Sequence, residues 1–93
     1  MAKNNKKKRY PMNVTKTGFK YTLDPKRLGN YELVEAIAEV DENPLMVPKV
    51  VKLLLGNQAE KLKDHVRDEE GFVSTEKLMA EIMDIFANKA VKN

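Results

Sequence analysis

The stretch from Val47 to Leu78, VPKVVKLLLGNQAEKLKDHVRDEEGFVSTEKL, constrains this chain more than any other. Pro48 suits the first turn of a helix, where its missing N–H costs nothing. The helix it opens is short and nearly all apolar as far as Leu55, with only Lys49 and Lys52 pointing away, which is the pattern of a central core element. Gly56 supplies a stop. Asn57 is then expected to cap a further helix, with Glu60 completing a capping-box-like arrangement. The apolar stripe of that helix is thin: Ala59, Leu62 and Val66, with His65 beside it. Asp68-Glu69-Glu70-Gly71 closes it, and Phe72-Val73 is a brief extended piece. Ser74 caps the last helix, where Glu76 in the first turn favours the helix dipole and Val73 can staple to Leu78 across the cap. Leu78, Met79, Ile82, Met83, Ile85 and Phe86 give that last helix a wide apolar face.

Upstream, the spacing predicts one more helix. Asn30 is its cap, Tyr31, Leu33, Val34, Ile37, Ala38 and Val40 its apolar stripe, and Glu32, Glu35 and Glu39 its wet face. Asp41-Glu42-Asn43-Pro44 ends it, because a residue before proline avoids helical dihedrals. From Met12 to Leu23 the period changes to two. Thr15-Lys16-Thr17-Gly18 supplies turn chemistry, and Phe19, Tyr21 and Leu23 alternate with Lys20 and Thr22. Two strands are marginal alone, so this apolar face is expected to lean on the helices. Asp24-Pro25 breaks the strand. Residues 1–11, almost without apolar content or periodicity, are expected to be a disordered basic arm. The fold class expected is mainly α: about four helices over roughly 31–41, 48–55, 58–68 and 75–88, with a short β strand or hairpin at 12–23. Residues 12–90 form the single domain and 91–93 a frayed tail.

A chain of 93 residues suffices for one domain with a modest core, which leaves room for self-association. There is no cysteine, so a disulfide framework, a thiolate metal site and a cysteine nucleophile are excluded. The longest apolar run, Leu53-Leu54-Leu55, is far short of the roughly 20 residues of a membrane span, and no secretory signal is expected. The formal charge of +3 hides an asymmetry: residues 1–30 carry +8 and the remainder −5. Lys6, Lys7, Lys8 and Arg9 head an electrostatic arm on an acidic body. Such an arm gains affinity for phosphate backbones by counterion release, but with Tyr10 alone available for stacking it reads first as a solubilising tail.

No chemistry-bearing constellation emerges. Aligning Gly71 to the sixth position of a calcium loop puts Val66 first and Lys77 twelfth, where carboxylates are required. His65, the single histidine, has no recognisable nucleophile or further metal ligand beside it in sequence, and reads as a surface or boundary residue. The acidic pairs Asp41/Glu42 and Glu69/Glu70 diverge. Gly18, Gly29, Gly56 and Gly71 stand singly at element ends, so no phosphate loop exists. Catalytic, cofactor and metal sites are therefore expected to be absent. Met46, Met79 and Met83 suit either gap-filling or an adaptable binding surface.

The order of these features resembles the small tail assembly chaperones of long-tailed phages and prophages of Gram-positive bacteria. The resemblance runs over roughly residues 19–87. It lies in the acidic YELVEAIAEVDENP helix, the proline-led helix ending Leu-Leu-Leu-Gly, and Val66-Arg67-Asp68-Glu69-Glu70-Gly71 before a final helix ending Ile-Phe. It implies a non-enzymatic factor of the bacterial host cytoplasm that needs no cofactor. Such a factor binds the tape-measure protein and recruits the major tail protein, without membrane or nucleic acid as partner. The client surface expected on this reading draws on Val50, Leu54, Met79, Met83 and Phe86. The alternative is a small nucleic-acid-binding or regulatory protein acting through its lysine-rich arm.

Overall fold

A computed structural model describes residues 10–92, so the expected arm lies almost wholly outside the described residues, as does Asn93. The fold is mainly α-helical with a small antiparallel hairpin. Strands β1 (Asn13–Val14) and β2 (Lys20–Tyr21) pair in the register Asn13 to Tyr21 and Val14 to Lys20. Helices α1 (Pro25–Leu28), α2 (Tyr31–Val40), α3 (Val47–Leu55), α4 (Ala59–Val66) and α5 (Thr75–Lys92) follow in order. No helix among the described residues is long and apolar enough to cross a membrane.

The hairpin turns where the sequence places turn chemistry. The Thr15 amide donates to the Phe19 carbonyl, the Gly18 amide to the Thr15 carbonyl, and Gly18 adopts a φ of 98°. Beyond the turn, Phe19 and Tyr21 lie on one face with their rings stacked 6.0 Å apart. Both are buried against the helices, which supplies the support that two strands lack alone.

Asp24-Pro25 ends the strand, but it also starts a helix that the sequence reading does not include. The Asp24 carboxylate accepts from the Lys26 amide and Pro25 occupies the first turn, so one turn of helix forms as α1. That turn carries Arg27 to the end of α3, where its Nη1 donates to the Leu53 carbonyl at 3.1 Å. A cation on an orphan carbonyl at a helix C-terminus satisfies both the hydrogen bond and the dipole.

Asn30 caps α2 as expected, its side chain accepting from the Glu32 amide. The inward face of α2 is narrower than the expected stripe. Leu33 and Ala36 are buried and Ile37 and Val40 half-buried, while Tyr31, Val34 and Ala38 stand exposed. A 3-10 turn, Pro44–Met46, leads directly into α3, which forms the middle of the core with Val47, Val50, Val51, Leu54 and Leu55 all buried.

Between α3 and α4 the expected capping box does not form. Gly56 has φ 59° and ψ −127° and begins a 3-10 turn, Gly56–Gln58, that holds Asn57 away from any cap position. Gln58 is instead the residue before α4. Its side-chain amide pairs with both backbone groups of Thr22, each at 2.9 Å. That pairing fastens the exit of the hairpin to the α3–α4 corner. Glu60 forms an exposed ion pair with Lys63.

The α4–α5 connection is a tight loop closed by an antiparallel bridge between Arg67 and Val73, with Gly71 at φ 96°. Ser74 then caps α5, its hydroxyl accepting from the Lys77 amide. Helix α5 runs on to Lys92, past the expected end near residue 88. The closing sequence Asn88-Lys89-Ala90-Val91-Lys92 holds no glycine or proline to stop it, and lysines suit a helix C-terminus.

Candidate functional site

Two places stand out. The first is a polar cluster beneath the hairpin turn. Helix α5 presents Glu81 at a position one turn from Leu78 and beside Ile82, so the carboxylate falls within the buried face, 5% exposed. The turn between β1 and β2 lowers Thr17 onto it, and the Thr17 hydroxyl donates to Glu81 Oε2. The same hydroxyl lies 2.9 Å from His65 Nε2 on α4 and 3.2 Å from the Thr15 hydroxyl. Thr15 Oγ1 in turn accepts from the Phe19 amide. A hydroxyl has one proton to donate, and Thr17 gives it to the carboxylate. His65 Nε2 and Thr15 Oγ1 therefore act as the donors toward Thr17, which requires a proton on Nε2 of the imidazole. A second anchor on α5, Asp84, accepts from the Lys16 amide at 2.7 Å.

His65 is exposed, as expected from sequence, but it is not isolated: its ring also lies 5.5 Å from that of Phe19. A cleft of about 420 Å³ opens beside the cluster, lined by Thr17, His65, Val66, Arg67, Asp68, Lys77, Ala80 and Glu81. Chemically the cluster differs from a hydrolytic triad. In a triad the acid orients the imidazole and the imidazole activates the hydroxyl. Here the acid accepts from the hydroxyl directly and the imidazole also meets that hydroxyl, so the acid–imidazole–hydroxyl order of a triad is not reproduced. Glu81 Oε1 has no hydrogen-bond partner among the described residues.

Asp68, at the mouth of the cleft, serves the loop. Its Oδ1 accepts from the amides of Phe72 and Glu70. The Phe72 amide foremost, helped by those of Glu70 and Gly71 and by the Lys77 charge, holds its carboxyl below the usual carboxylate range. Among the described residues, no three acidic or histidine side chains converge as a metal site.

The second place is the exposed apolar surface. Of the five residues expected to form a client surface, Val50 and Leu54 are fully buried, both 0% exposed, so they form the core and not a surface. Met79 and Phe86 are half-buried against that core. Only Met83, 60% exposed, is presented to solvent. Helix α3 packs against α2, α1, α4 and α5, with Val50 and Leu54 wholly inside. The larger exposed side chains lie elsewhere, on α2 as Tyr31 (70%) and Val34 (53%), on the 3-10 turn as Leu45, in the α4–α5 loop as Phe72, and at β1 as Met12 and Val14. Sequence reasoning missed the α2 pair by assigning it to the buried stripe. The signal was the width of that stripe, which spans more of the helix circumference than one packing face covers. Lys6, Lys7, Lys8 and Arg9 lie outside the described residues. Comparison with protein-family models, with curated proteins and with solved structures finds no match to this chain.

Proposed function

We propose that this protein is a non-enzymatic assembly chaperone of the phage-tail type. It holds a tape-measure-like helical client and brings tail-tube subunits to it in the cytoplasm of a bacterial host. The observation that carries the binding part of this reading is the set of large apolar side chains left in solvent on a fold whose core is already closed, Tyr31, Val34 and Met83 among them. Exposed apolar surface of this kind serves association more readily than chemistry. The client class comes from the resemblance over residues 19–87.

Co-expression with a tape-measure-like coiled-coil protein tests this. Co-purification that survives deletion of residues 1–9 is the expected result. Failure to co-purify, together with salt-sensitive DNA or RNA binding that vanishes on the same deletion, overturns it in favour of a nucleic-acid-binding role for the lysine-rich arm.

A further inference from the structure

The outward face of α2 combines two properties that the fold does not use. Successive residues of a helix are rotated by about 100°, which sets Tyr31, Val34 and Ala38 in one stripe on the side away from Leu33, Ala36, Ile37 and Val40. The stripe runs about 10 Å along the helix axis. Glu32, Glu35, Glu39, Asp41 and Glu42 border it, all exposed, and no lysine or arginine occurs from residue 31 to residue 42. Both ion pairs among the described residues, Glu60 with Lys63 and Asp64 with Arg67, lie on or beside α4.

This charge pattern works against the helix that carries it. Glu32 and Glu35 are three residues apart and Glu35 and Glu39 four, the spacings at which like charges repel. Glu39, Asp41 and Glu42 gather at the C-terminal end, where the helix dipole disfavours anions. Among the described residues, no ion pair offsets this. A cation from outside would.

We propose that this face is the docking surface for a cationic amphipathic helix of another protein. The apolar stripe of that helix seats on Tyr31, Val34 and Ala38, and its lysines or arginines meet Glu35, Glu39 and Glu42. The sign of the charge excludes nucleic acid and anionic lipid as occupants, and a narrow straight stripe at helical pitch matches a helix packed alongside. The shape assigned to the partner rests on the helical-client reading above; its charge does not.

The test titrates the isotope-labelled full chain with a lysine–leucine amphipathic peptide of about five helical turns, beside a scrambled peptide of equal composition. Amide shifts confined to residues 31–42, absent with the scrambled peptide and weakened by salt, are expected. Glu35→Lys combined with Glu39→Lys should weaken binding by about tenfold or more. That variant should melt no lower than wild type, because it relieves repulsion. Val34→Ser, which leaves the charges alone, should also weaken binding. Shifts centred on Met83, equal binding of the scrambled peptide, or indifference to charge reversal overturns the proposal. So does tighter binding of a peptide of residues 1–9 to the same face, which would assign it to the arm of a second copy. A coiled-coil client that binds wild type and the charge-reversed variant equally well refutes this surface and leaves the chaperone reading standing. Peptide binding on α2 without any client binding does the reverse.

Discussion

Glu81 is the residue whose burial asks most of its neighbours. A carboxylate taken out of water must find donors, and among the described residues the Thr17 hydroxyl is the donor it has. Thr17→Val is therefore expected to destabilise the protein by about 1–3 kcal/mol, the cost of stranding a buried polar group. Replacing both partners removes the stranded charge, so Thr17→Val combined with Glu81→Leu should recover most of that loss in urea unfolding. Full additivity of the two substitutions would show that the pair does not act as a unit. None of this was legible in sequence. The two residues stand 64 positions apart, and Glu81 looks like any polar residue of an amphipathic helix until α5 is rotated against its neighbours.

At the scale of elements, the helix ends divide into those set locally and those set by contacts. Asn30 and Ser74 cap the helices they precede, because such a cap needs only its own next two or three residues. Asn57 does not, because Gln58 beside it is held by Thr22, a contact that closes only when the hairpin folds back on the α3–α4 corner. Gly56 belongs to both classes. Its φ of 59° favours glycine whatever surrounds it, and a Cβ there would also approach Arg27 Nη2 to 2.5 Å. Gly56→Ala is expected to cost about 1–3 kcal/mol, seen as a lowered melting temperature. Gly71→Ala meets open space at its φ of 96° and should cost less. Equal losses at the two sites would mean that the Arg27 contact carries no weight.

For the whole molecule, the decisive property is the separation of core from surface. Leu54 sits at the centre of the buried cluster, so Leu54→Ala should cost about 2–5 kcal/mol, a large share of the stability of a small domain. Met83→Ala, on an exposed part of α5, should stay within about 0.5 kcal/mol. Thermal or urea unfolding of the two variants checks the contrast. The helical class, the hairpin turn, the central place of α3 and the caps at Asn30 and Ser74 are written in the amino-acid order alone. Each follows from periodicity, dihedral preference or hydrogen bonds between near neighbours. Which side of each apolar helix is covered is set instead by packing. Helices α2 and α5 carry apolar residues around more of their circumference than one packing face occupies, and local spacing is the same for a side chain that finds a neighbour and one that does not. Packing turned Val50 and Leu54 inward and left Tyr31 and Val34 in water, and it brought Thr17, His65 and Glu81 together from three separate elements.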